Sequence, residues 1–111
     1  MLYSKNMKWL EEIRLRTQPR REEEVMEVLL EIADSVHDKK GLKSAVAYLH
    51  LAQPGGFSLI LDWDTASVPV QGSETAMLIL EGLKPFGLLD RTVMVERGKT
   101  QKSRSYKKGV I

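Results

Sequence analysis

Four side chains in this sequence of 111 residues could do chemistry together or alone: His37, His50, Tyr48 and Trp63. His50 and Tyr48 stand two apart in an apolar stretch, so a strand would present both on one side. An imidazole titrates near neutral pH and could take a proton from a phenolic substrate held against a tyrosine and a tryptophan. That pocket (catalytic candidates His50, Tyr48 and Trp63) exists only if the side carrying Val46, Tyr48 and His50 is the core side. His37 stands beside Asp34 and Asp38 at the end of a helical pattern. One imidazole and two carboxylates there are expected to interact with the helix terminus and solvent, and no metal site is expected. Asp62 and Asp64 alternate with Trp63 and fit a sheet-surface ion network better than a catalytic dyad. Gly55-Gly56 is too short for a phosphate loop and falls between strands.

These residues are carried by six elements. Lys8 to Thr17 reads as a strand, with Trp9, Ile13 and Leu15 on one side, Arg14 and Arg16 on the other, and Glu11 interrupting the apolar side. Pro19 opens a helix whose first turn holds Glu22, Glu23 and Glu24, where the dipole favours anions. Val25, Val28, Leu29, Ile32 and Val36 form its stripe, and Gly41 is the expected left-handed stop. Leu42 to Ala52 and Phe57 to Asp64 read as strands joined by Gln53-Pro54-Gly55-Gly56. Ser73 is the expected cap of a helix Glu74 to Lys84. Its Met-Leu-Ile-Leu run predicts cover on more than one side. Pro85-Phe86-Gly87 ends it, and a last strand with Leu89, Val93 and Val95 on one face stops near Gly98.

The order β-α-β-β-α-β predicts an α+β, ferredoxin-like sandwich: a four-stranded antiparallel sheet ordered 4-1-3-2 with two helices on one face. The face holding Trp9, Ile13, Leu15, Phe57, Leu59, Leu61, Trp63, Leu89, Val93 and Val95 is the expected core. The other holds Leu10, Glu12, Arg14, Arg16, Ile60, Asp62, Asp64, Asp90, Thr92, Met94 and Glu96, a mixture that suits pairing with a second copy. A homodimer is expected.

Composition narrows the field. There is no cysteine, which removes disulfides, thiolate metal sites and thiol nucleophiles and fits a reducing compartment, so the cytoplasm is the default. The apolar runs are too short to cross a bilayer. The formal charge of +2 is asymmetric: Arg97, Lys99, Lys102, Arg104, Lys107 and Lys108 lie in the last fifteen residues without an acid. Removing those six leaves 11 basic against 15 acidic residues in positions 1–96, a net of −4. The reading is one domain over 1–97 and a basic, flexible tail over 98–111. Such a tail could recruit an acidic partner, which leaves a structural or regulatory module open. RNA-recognition domains share the element order, and Gly56-Phe57-Ser58-Leu59 echoes their third strand. Asp62, Asp64 and Asp90 on the open face would repel phosphate, so nucleic acid is not the expected partner.

The hairpin Ala45–Leu51 with Phe57–Asp64, the Trp63-Asp64-Thr65 closing its second strand, and the helix-turn-strand Ser73–Val95 together resemble the dimeric α+β barrel superfamily. Within it, they resemble the antibiotic-biosynthesis-monooxygenase-like group, over roughly residues 7–97. The resemblance implies a homodimer whose two sheets face each other, with a small-molecule pocket between each sheet and its helices. Activities in that group include cofactor-free oxygenation of polycyclic phenols and oxidative haem breakdown. Haem-degrading members use an asparagine on strand 1, a tryptophan after strand 3 and a histidine on helix 2. Trp63 matches the tryptophan and Asn6 falls just before strand 1, but the second helix has no histidine. No cofactor is therefore expected.

Overall fold

The computed structural model describes residues 6–98 and 100. Apart from Gly98 and Thr100, the expected basic tail lies outside the described residues. Strand β1 (Met7–Arg16) leads through a 3₁₀ turn (Pro19–Arg21) into α1 (Glu22–Val36). Strands β2 (Leu42–Leu49) and β3 (Gly56–Thr65) form a hairpin; α2 (Glu74–Leu83), a 3₁₀ turn (Lys84–Phe86) and β4 (Leu88–Val95) follow. The sheet order is β2-β3-β1-β4 with antiparallel neighbours, the ferredoxin-like arrangement expected.

Period-two alternation explains which side of each strand is buried. Trp9, Ile13 and Leu15 of β1 pair directly with Trp63, Leu59 and Phe57 of β3, and all six are buried beneath the helices. Helix α1 contributes Val25, Leu29 and Val36, and α2 contributes Ala76, Ile79 and Leu83. Burying side chains of this size stabilises the domain by about 1.5–3 kcal/mol each, relative to exposure. The expected N-cap forms: the Ser73 hydroxyl accepts from the Ala76 amide at 2.9 Å. No helix among the described residues is long and apolar enough to cross a membrane.

Three details depart from expectation. Helix α1 ends at Val36, so Gly41, although left-handed at φ 86°, does not stop it; it turns the chain into β2, and its carbonyl accepts from the Asp64 amide. Strand β2 ends at Leu49 because the turn takes His50, whose amide bonds Gly56 O at 2.9 Å. Among the described residues helix α2 is covered on one side only: Met77 and Leu78 are exposed.

Candidate functional site

The open face of the sheet carries a connected polar chain. Arg14 at the centre of β1 donates to Glu12 Oε1 at 3.0 Å and to Thr92 Oγ1 at 3.1 Å, and it pairs with Asp90. Glu12 Oε2 accepts from Ser58 Oγ at 2.7 Å, and His50 Nε2 lies 2.7 Å from that serine oxygen. The Ser58 hydroxyl has one proton and the carboxylate has none to give, so that proton goes to Glu12. His50 must then donate through Nε2, leaving Nδ1 bare in the neutral ring. His50 therefore cannot act as a base through Nε2. Nδ1 lies over Gly56, where a Cβ would come within 2.7 Å of it. The missing side chain is what lets the imidazole lie down on the sheet.

Of the two β1 arginines only Arg14 faces an acid, Asp90 on β4; Arg16 stands across from Leu88 there and from Gly56 on β3. Across from Arg14 on β3 stands Ser58. Asp90 is held below the usual carboxylate range by the hydrogen bond from Arg14, helped by the Arg91 amide and by the charge of Arg14. The guanidinium is raised, chiefly by the same bond.

At the other end of this face lies an open groove of about 620 Å³, within the size of small-molecule sites. Leu10 and Met94 give it an apolar floor, with Lys8, Lys43, Ser44, Asp62, Asp64 and Glu96 around them. Ser44 Oγ donates to Asp62 at 3.0 Å, and Asp64 Oδ1 is buried without a hydrogen-bond partner among the described residues.

The three candidate catalytic residues are not brought together. Tyr48 pairs with Ser58, which places it on the open face, and His50 follows on the same side. Trp63 lies on the helix-covered face, 6% exposed, stacked on Trp9 with ring centroids 5.5 Å apart. The condition that would have joined them, that Tyr48 and His50 face the core, is not met. The pocket expected between sheet and helices is taken up by the two indoles, Leu61, Ala76, Ile79 and Leu83, all buried.

Sequence reasoning missed one further cluster. Glu11, which interrupts the apolar side of β1, is completely buried. Its carboxylate accepts from Trp63 Nε1 at 2.9 Å, from Ser73 Oγ at 2.7 Å and from the Ser73 amide at 2.6 Å. It thereby ties the start of α2 to the sheet. The signal was present: a glutamate at a core position needs buried donors, and an N-cap serine and an indole supply them. His37 is exposed at the end of α1, with Nδ1 2.5 Å from the Asp34 carbonyl oxygen. That bond raises its pKa; desolvation opposes it, and the charges of Asp38 and Asp34 add lesser support.

No family model matches the sequence, and no curated protein matches it. Solved structures do resemble the fold. A candidate antibiotic biosynthesis monooxygenase from Deinococcus radiodurans superposes with a TM-score of 0.65 at 19% identity, covering 85% of this chain and 96% of that one. Rv0793 from Mycobacterium tuberculosis gives 0.64 at 13% identity over 85% and 99%. A conserved protein of unknown function from Bacteroides thetaiotaomicron gives 0.66 at 11% over 82% and 99%. At such identities the likeness is one of fold, which by itself does not carry an activity.

Proposed function

We propose that this chain is a small-molecule-binding domain of the antibiotic-biosynthesis-monooxygenase-like group. In this reading it works as a homodimer, with the open faces of two sheets apposed and the groove beside Leu10 and Met94 as the ligand site. The observation that carries the reading is that face itself. Val46, Tyr48, Leu88 and Met94 are exposed on it, and its concave end already has the volume of a ligand pocket. Four strands about 4.8 Å apart and about 27 Å long span roughly 500 Å² in projection. With side-chain relief this approaches the roughly 800 Å² each partner gives to a stable interface. Charges of both signs stand at each end of the face, Lys8 and Lys43 beside Asp62, Asp64 and Glu96 at one and Glu12 and Asp90 beside Arg14 at the other, so two copies can meet without net repulsion. The cysteine-free sequence supports a reducing, cytoplasmic setting.

Cofactor-independent oxygenation through His50, Tyr48 and Trp63 is the weaker reading, because it requires one cavity shared by residues that lie on two faces. Light scattering on the eluting protein tests the dimer. Twice 12.6 kDa at micromolar concentration is expected, falling to 12.6 kDa in Val46→Asp with Met94→Asp. A monomeric native protein would sink the proposal. Phenolic compounds that raise the melting temperature are expected to lose that effect in Leu10→Arg.

A further inference from the structure

A different part of the molecule carries a second kind of site. Where β1 leads into α1 and the Lys84–Phe86 turn leads into β4, the chain forms a groove of about 540 Å³. Its lining includes Arg16, Arg21 and Lys84 and no acidic residue. In positions 1–96, whose net charge is −4, this is a local reversal of sign.

The cations are available. Among the described residues Arg16 has no carboxylate within 4 Å. Arg21 pairs with Glu24 at 3.0 Å and Lys84 with Glu81 at 2.9 Å, both at the surface. Exposed pairs of this kind contribute little net stability and exchange readily for a stronger anion. Thr17 also lines the groove. It is 6% exposed, and its Oγ1 has no hydrogen-bond partner among the described residues. A buried hydroxyl without a partner is costly, and an incoming oxygen acceptor relieves it. The Phe86 ring, with the Arg21 guanidinium 5.1 Å above its centre, gives the groove one flat apolar wall.

We propose that this groove binds a small phosphorylated molecule. Arg16, Lys84 and the Thr17 hydroxyl hold the phosphoryl oxygens, Arg21 supplies a further charge, and the organic part lies against Phe86. A phosphoryl dianion matches several converging cations better than a single carboxylate does. The groove shares Arg16 with the end of the open face, and all of its lining comes from a single chain.

The test is an amide NMR titration of the full chain with phenyl phosphate and, separately, inorganic phosphate, at ionic strength fixed with chloride. Saturable shifts are expected at Arg16, Thr17, Arg21, Phe86 and Gly87, with phenyl phosphate the tighter ligand. Arg16→Gln weakens binding about tenfold or more through loss of a charge-assisted hydrogen bond. Arg20→Gln, outside the groove, leaves it unchanged. Thr17→Val keeps the shape, removes the hydroxyl and weakens binding several-fold. Shifts that grow without saturating, or equal affinities for Arg16→Gln and Arg20→Gln, would overturn the site. So would a single-stranded RNA oligomer that binds these residues more tightly than phenyl phosphate. Repeating the titration on the double variant Val46→Asp with Met94→Asp separates this result from the fate of the dimer.

Discussion

Replacing Glu11 with leucine removes a carboxylate that is fully buried and accepts three hydrogen bonds, while nearly conserving volume. The Ser73 hydroxyl can rotate to another acceptor. The Trp63 indole N–H and the Ser73 amide cannot, and both are left without their partner. Stranding a buried donor costs about 1–3 kcal/mol. Two of them, with the loosened start of α2, give about 3–5 kcal/mol. A domain of this size has roughly 5–15 kcal/mol in total, so the variant is expected to be folded but marginal. Its melting temperature should fall by roughly 15–30 °C. Urea titrations followed by tryptophan fluorescence and circular dichroism measure the loss directly. The mechanism is isolated by repeating the substitution in a Trp63→Phe background, which has no indole donor to strand. The cost of Glu11→Leu should then shrink by about 1–2 kcal/mol, the coupling expected of directly bonded partners. A Glu11→Leu protein within 1 kcal/mol of the native one would refute the clamp, as would a strictly additive cycle.

Four further expectations rest on local geometry and charge. Gly55→Ala is expected to cost at least about 2 kcal/mol, because φ is +85° and a Cβ would meet the Thr17 carbonyl oxygen at 2.1 Å. Gly82→Ala, with nothing within 4 Å of the added carbon on α2, should stabilise by about 0.5–1 kcal/mol in the same denaturation assay. His37 should titrate above the ordinary value near 6.5 in its ring NMR signals, because it bonds the Asp34 carbonyl. A raised folded-state value means that its contribution to stability is fully present below about pH 6.5 and is lost as the pH rises through the folded value. His37→Gln should flatten that part of the pH–stability curve. Asp90, lowered by Arg14, behaves oppositely: its contribution is present above about pH 4 and is lost as the pH falls below that.

Much of this architecture is legible in the sequence because it is periodic. Apolar residues at spacing two on β1 and β3 name the core face, the α1 stripe names a covered helix, and Ser73 before Glu74 names a cap. These are local rules, and the element order follows from them. Glu11 is half legible. Its place between Trp9 and Ile13 puts it in the core, but its partners come from Trp63 and Ser73, 52 and 62 positions away. Only the closing of the chain brings those donors to it.

The faces of β2 were not decidable locally, and the candidate site depended on them. Val46 and Tyr48 on one side, and Ala45, Ala47, Leu49 and Leu51 on the other, are both apolar enough to be core. Strict alternation from the buried Leu42 would carry Val46, Tyr48 and His50 inward. The register shift between Leu42 and Ser44 reverses that: Leu42 pairs with Trp63 on the core side, while Ser44 pairs with Asp62 on the open side. One irregular step flips every later side chain, because the strand period is two. Composition and periodicity thus determined the α+β fold and its helix-covered core. The pairing of β2 with β3 decided that the imidazole and the tyrosine lie on the open face while the tryptophan lies within, since only contact with a neighbouring strand sets which side a two-sided strand turns inward.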